Sequence, residues 1–185
     1  MVNVTLANNF FSSLTVIAQG AIVLLLATFL LYRKNNEANT GLRFFSQNAV
    51  LFAFIVATIS MLGSLTYSDV IGYDVCKLCW FQRILMYPQS IILLVALIKK
   101  DKHILDYDIV LSVIGVLLAA YHYLLQLGLV PSVACNVVGY STNCASRFVM
   151  NFGYITIPLM SFTAFLLIIL LSLSPKLWHL DSPKQ

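Results

Sequence analysis

Charge is scarce in this chain. Only 10% of its 185 residues are Asp, Glu, Lys or Arg, where an ordinary soluble domain carries about 25%. So little charge excludes a globular surface facing water on all sides. The net charge of +4 is small, and the basic residues form no stripe, which excludes a nucleic-acid partner. Met1–Ser13 holds no Lys or Arg, so the positive start of a secretory signal is missing. There is also no internal repeat, low-complexity tract or second-domain linker. What is present is apolar: 60% of the residues are hydrophobic, which indicates an integral membrane protein of one domain.

Five apolar runs carry that composition: Leu14–Tyr32, Phe44–Tyr67, Trp80–Ile98, Ile109–Leu129 and Gly153–Leu173. The first has 19 residues. As a helix it is roughly 28 Å long, enough for the hydrocarbon core of a bilayer. We read it as a retained helix, with Gln19 its one strongly polar residue. In the second run Ser60, Gly63 and Ser64 are small enough to let a neighbouring helix approach. Pro88 lies inside the third and predicts a kink. The expected connections are Arg33–Arg43, Ser68–Val75, Lys99–Asp108 and Val130–Phe152, with a polar tail from Ser174. Arg33–Arg43 holds three Lys or Arg, Lys99–Asp108 three and the tail two, against Lys77, Arg83 and Arg147 on the other side. Eight against three puts the N-terminus outside and the C-terminus in the cytoplasm. All four cysteines, Cys76, Cys79, Cys135 and Cys144, then fall outside, where disulfides persist.

Cys76-Lys77-Leu78-Cys79 stands where the third helix begins. Two sulfurs at this spacing can open and close a disulfide, and a helix N-terminus favours the thiolate. We expect the lowered thiol pKa at Cys79, which would make it a good electron donor. The bland alternative is a static disulfide or half of a metal site. Cys135 and Cys144 are nine apart in a loop, and three readings stay open for them. A static bridge would stabilise by roughly 2–3 kcal/mol. A four-cysteine zinc site would take all four sulfurs. A relay between two disulfides would let a loop pair meet a soluble partner while the helix pair meets the bilayer.

Arg83 lies about one helical turn below Cys79. An arginine in hydrocarbon is costly unless it snorkels to the head groups. The functional reading is a donor to an anionic oxygen, such as develops on a quinone reduced by two electrons. His122 and Gln126, four apart, share a face at the same depth. They are either satisfied interior polar residues or a hydrogen-bond and proton source for that reduction.

Cys76-Lys-Leu-Cys79-Trp-Phe-Gln-Arg83-Ile-Leu-Met-Tyr87-Pro88 resembles the signature of the DsbB/BdbC disulfide-bond formation proteins of bacteria. His122-Tyr-Leu-Leu-Gln126 and Gly153-Tyr-Ile-Thr-Ile-Pro158 are similar to further motifs of that family, and the likeness covers Phe44–Leu173. The resemblance implies an all-α membrane protein, a four-helix transmembrane bundle, with Leu14–Tyr32 as one extra N-terminal transmembrane helix. It divides the chain into residues 1–43 (extra helix and cytoplasmic loop), 44–174 (bundle) and 175–185 (cytoplasmic tail). It implies a thiol:quinone oxidoreductase of the bacterial cytoplasmic (inner) membrane. Its partner would be a DsbA-like thioredoxin-fold thiol oxidase, and its acceptor ubiquinone or menaquinone. Within it, Cys135 matches the cysteine joined to the partner and Cys144 its mate. Cys76 and Cys79 match the quinone-coupled pair, Cys79 nearer the ring. Arg83 matches the quinone-site arginine and His122 a histidine near it. We add Gln126 to the quinone site and assign no metal. The loop of eight residues between Cys135 and Cys144 is short for the family, which bears on how a partner docks. The rival enzyme is a vitamin-K-epoxide-reductase-like protein, although there the loop cysteines precede the C-x-x-C. The rival non-enzyme is a membrane scaffold with inert disulfides or zinc.

Overall fold

A computed structural model describes residues 3–35, 40–131 and 144–179 of the chain. The described residues form α1 (Val4–Asn35), α2 (Thr40–Gln47), α3 (Ala49–Leu65), α4 (Lys77–Lys99), α5 (Ile104–Gln126) and α6 (Ile157–His179). One π-helical turn, Thr66–Val70, continues α3. All but α2 contain a stretch long and apolar enough to cross a membrane.

Packing explains why these helices cluster. Between lipid-embedded helices there is little hydrophobic drive, so close contact through small residues has to hold them. Ala49, Ala53 and Ala57 repeat every four residues along α3 and are buried against Met86, Leu93 and Ala96 of α4 and Phe165 and Ile168 of α6. Helices α3, α4, α5 and α6 close into a ring by neighbour contacts α3–α4, α4–α5, α5–α6 and α6–α3. Gly115 of α5 faces the fully buried ring of Phe165, where an added Cβ would lie 2.5–2.6 Å from three ring carbons. Outward residues such as Leu30, Ile91, Val110 and Leu117 are large, apolar and exposed, as a lipid-facing surface requires.

Helix α1 packs on the outside of this ring, against α6. It begins ten residues before the apolar run, because the Asn3 side chain accepts the Thr5 N–H at 3.1 Å and starts the helix there. The α4–α5 connection is also shorter than the charges predict. Lys100, at φ 55°, ends α4, and α5 resumes at Ile104. Asp106 and Asp108 are inside α5. Asp106 pairs with Lys176 at 2.7 Å, and the buried Asp108 accepts a hydrogen bond from Ser172 at 3.1 Å. Helix α6 starts four residues after Gly153. Phe152 and Gly153 both take positive φ in a turn closed by Asn151 and Ile155, so regular helix is impossible there. Pro158 then sits in the first turn, where its fixed φ fits. Helix α4 runs continuously through Pro88.

Candidate functional site: two thiols between two cavities

The segment that leads into α4 is placed by a turn and a stack of rings. The π-helical turn brings Tyr67 inward, where it is 5% exposed. Gly72, at φ 83°, reverses the chain, and the Tyr73 N–H donates back to the Tyr67 carbonyl at 2.9 Å. The Tyr73 ring stacks on Tyr67 at 6.0 Å and on Phe148 at 5.0 Å. This ties the approach to Cys76 to the segment that follows Cys144. Cys76 is extended, at φ −74° and ψ 167°, and its carbonyl accepts the first helical N–H, that of Trp80, at 3.1 Å. Cys76 is thus the N-cap of α4, and Cys79 lies in its first turn.

Both thiols are free, and their sulfurs are 3.2 Å apart. His122 of α5 comes up from the other side. Its Nε2 is 3.7 Å from Cys76 Sγ and 3.1 Å from the carbonyl oxygen of Cys144. Its Nδ1 is 3.1 Å from the amide nitrogen of Gln82 on α4. An amide nitrogen only donates, so Nδ1 accepts and the ring proton sits on Nε2. That N–H therefore points at the Cys76 sulfur and the Cys144 carbonyl. The Cys76 thiol is held well below the usual thiol range. Its hydrogen bond with Cys79 contributes most, burial opposes, and His122 adds to the lowering. The stabilised thiolate is thus Cys76, where the helix-terminus argument places it at Cys79. The reason is that Cys76 receives both neighbours.

Cys144 is disulfide-bonded and buried, and Cys135 lies outside the described residues. The segment after Cys144 is clamped to the end of α5. The Gln126 amide donates to the Ser146 carbonyl at 3.0 Å. The Arg147 guanidinium donates through Nε, at 2.9 Å, and through Nη2 to the Gln126 carbonyl, at the negative end of the helix dipole. Among the described residues, the Cys76, Cys79 and His122 donor atoms lie within 4.8 Å of one another, and no fourth His, Cys, Asp or Glu joins them. A closed structural zinc site takes four donors.

Arg83 is pinned across the α3–α4 contact. Its Nε donates to Ser64 Oγ at 2.9 Å and its Nη2 to the Ser64 carbonyl at 3.0 Å. Trp80 and Tyr87 flank it with ring centroids at 5.5 and 5.9 Å. Of the five guanidinium N–H groups, two are thereby used.

Two cavities meet at these residues. A crevice of about 60 Å³ is lined by Cys76, Cys79, Arg83, His122, Gln126 and Cys144, which are all the described site candidates. A second, larger cavity of about 310 Å³ is mostly apolar and is walled by α1, α3, α4 and α6. Of the six candidates, Cys79 and Arg83 line both. Tyr67 also lines both, and its buried hydroxyl has no hydrogen-bond partner among the described residues.

The sequence profile of the family described as disulfide bond formation protein DsbB matches residues 46–174. The chain belongs to the DsbB family. The SPbeta prophage-derived disulfide bond formation protein B of Bacillus subtilis is 42% identical over 118 residues, 64% of this chain and 78% of that protein. The probable disulfide formation protein C of Halalkalibacterium halodurans is 37% identical over 127 residues, 69% of this chain and 92% of that protein. Disulfide bond formation protein C of B. subtilis is 36% identical over 132 residues, 67% and 91% of the two chains. No solved structure matches. With five candidate spans, this DsbB-family chain is a multi-pass membrane protein that supports disulfide bond formation, and the family name implies an oxidoreductase. The match decides against the vitamin-K-epoxide-reductase-like alternative.

Within this DsbB-family site the candidates fall into two groups. Cys79 and Arg83 face the large cavity. His122 and Gln126 stand on the far side of the sulfurs, beside Cys144, and do not line it. Three further residues escape a reading of the sequence. Gln82 shows the only available signal, a polar side chain inside an apolar run, three residues after Cys79 and so on its face. Ser64 reads as a small packing residue, and Tyr67 as an ordinary aromatic.

Proposed function

We propose that this protein is a thiol:quinone oxidoreductase of a bacterial cytoplasmic membrane that reoxidises an extracytoplasmic, DsbA-like thioredoxin-fold thiol oxidase. One observation carries the reading: Cys79 and Arg83 stand on the wall shared by a small crevice, lined also by Cys76, His122 and Cys144, and an apolar cavity among the spanning helices. Electrons would enter at Cys135–Cys144 from the partner dithiol, by thiolate attack on the disulfide, with Cys135 joined to the partner. The thiolate released there would pass the pair on by exchange with Cys76–Cys79. Closing the Cys76–Cys79 bond frees two electrons and two protons. A quinone in the large cavity supplies the acceptor for both.

The residues around that cavity fit such a group. Its lining is apolar, as a ring and prenyl tail require. Among its polar lining residues, Arg83 keeps N–H donors to spare, and the Tyr67 hydroxyl has no hydrogen-bond partner among the described residues. Both can donate to a carbonyl oxygen and favour it as it gains negative charge. Cys79 is the sulfur placed to attack or transfer charge to the ring. The Cys76 thiolate, 3.2 Å away, can close the disulfide on Cys79, and the Nε2–H of His122 steadies that thiolate until it does. Gln126 holds the Cys144 segment over the sulfurs. The lysine and arginine count puts both cysteine pairs on the extracytoplasmic side, where a secreted partner can reach them.

The test is quinone reduction by the purified protein with a reduced thioredoxin-fold substrate, repeated with Cys79→Ser. Turnover should vanish in the variant. Turnover at the wild-type rate would remove the mechanism.

A further inference from the structure

Helix α1 lies outside residues 46–174, the stretch that matches the family, yet it supplies a whole side of the large cavity. Phe11, Leu14, Thr15, Ile17, Ala18 and Ala21 line it, at the three-and-four spacing of one helical face. Across from them stand Ser60, Gly63 and Ser64 of α3 and Ala164 and Leu167 of α6, with Cys79, Arg83 and Met86 of α4 between.

The position of α1 is fixed at several points. The Phe11 ring sits so near Gly63 that an added Cβ would lie 3.0 Å from it, so this approach depends on the glycine. The Asn151 amide donates to the Asn9 side chain at 3.1 Å, and the Tyr154 hydroxyl donates to Gln19 at 2.9 Å. Further along, Ile22 is buried against Leu167 and Leu171. Between these fixed points Ala18 and Ala21 are short, and they face the cavity.

We propose that α1 is the outer wall of the acceptor site. Leu14, Ala18 and Ala21 would lie against the bound ring or the start of its tail, and their size would set which quinones fit. This rests on the quinone reading above and adds to it a selectivity element from outside the family-matched bundle. Because residues 18 and 21 are alanines, the cavity has room for a substituted ring. A bulky side chain there should narrow it without touching the sulfurs.

The test uses the full-length protein, dithiothreitol as reductant, and decylubiquinone or menadione as acceptor. Ala18→Phe should raise the KM for decylubiquinone by about tenfold or more, while kcat at saturation stays within about twofold. Reduction of the Cys144 disulfide by dithiothreitol should be unchanged. Val23→Phe, on an exposed position of α1, should leave every constant as in the wild type. A second measurement needs no variant: an azido-substituted short-chain quinone, irradiated on the wild-type protein, should label residues within 11–21 as well as α4. Labelling of α4 without α1, or Ala18→Phe with an unchanged KM, would overturn the wall and leave the acceptor site standing. Failure of the wild type to reduce or be labelled by any quinone would remove both.

Discussion

Gln82 and His122 offer the most direct test of how the thiol site is built. Gln82→Leu keeps the side chain's bulk but removes the one donor to His122 Nδ1. His122 is 2% exposed and Gln82 6%, so water cannot replace the lost bond. An orphaned buried nitrogen costs about 1–3 kcal/mol, and that is the destabilisation expected in thermal or denaturant unfolding of the reduced protein in detergent. The double variant Gln82→Leu/His122→Phe should cost less than the sum of its parts, since removing both partners leaves no orphan between them. The difference should be about 0.5–3 kcal/mol, the usual range for residues in contact. A chemical readout goes with it. Without the Gln82 donor the ring proton is free to move to Nδ1, and the Nε2–H no longer reliably faces Cys76. The pH profile of Cys76 alkylation by iodoacetamide, read by peptide mass spectrometry, should therefore shift towards the ordinary alkaline thiol range. His122→Phe should shift it in the same direction and further. Additive stabilities together with an unmoved alkylation profile would refute the argument.

Gly115→Ala should destabilise by about 1–3 kcal/mol, because the new methyl meets the buried Phe165 ring, and Phe165→Leu in the same chain should recover part of the loss. Arg83→Gln should raise the KM for a quinone at least tenfold while reduction of the loop disulfide by dithiothreitol stays intact; equal loss in both half-reactions would contradict its placement on the acceptor side. The depressed Cys76 pKa favours the folded reduced protein fully above the value of an exposed thiol, about 8.5, and that contribution is lost as pH falls through the lower folded value. The Tm difference between reduced and oxidised protein should accordingly shift against the reduced form on acidification from about pH 8.5; a difference independent of pH would contradict it.

Much of this architecture is legible in the sequence, because a membrane helix advertises itself by length and hydropathy. Five runs predict five spans, and five are present among the described residues. The ends are less legible, for physical reasons. Asp106 and Asp108 read as loop charges, but Lys176 and Ser172 on α6 receive them, and α6 is some 65 residues away in sequence. Gly153–Thr156 reads as the start of the last span, although Gly153, at φ 79° directly after Phe152 at 53°, forbids regular helix there. Within the site, Cys76, Cys79 and Arg83 share one helix, so their spacing alone relates them. His122 can be matched to them in depth, but not in direction. That it would serve Cys76 and the Cys144 carbonyl, and stand away from the large cavity, depends on how α5 is rotated against α4. Gln126 reads as a ligand donor, yet its nearest need is the Ser146 carbonyl of its own loop.

The π-helical turn at Thr66–Val70 carries one residue more than an α-helix of the same rise would need, and so takes up that residue without turning the chain that follows. Inserting one further residue just before it, beyond what the wide turn absorbs, would rotate everything after it by about 100° about the helix axis. Tyr67 would swing off the junction of the two cavities, and the turn at Gly72 would launch the next segment in another direction. The C-x-x-C motif would survive intact in the sequence, while its sulfurs arrived at the wrong longitude for His122. Such an insertion variant should keep its helical content and lose its redox chemistry, so in this chain the count of residues before the motif matters as much as the motif.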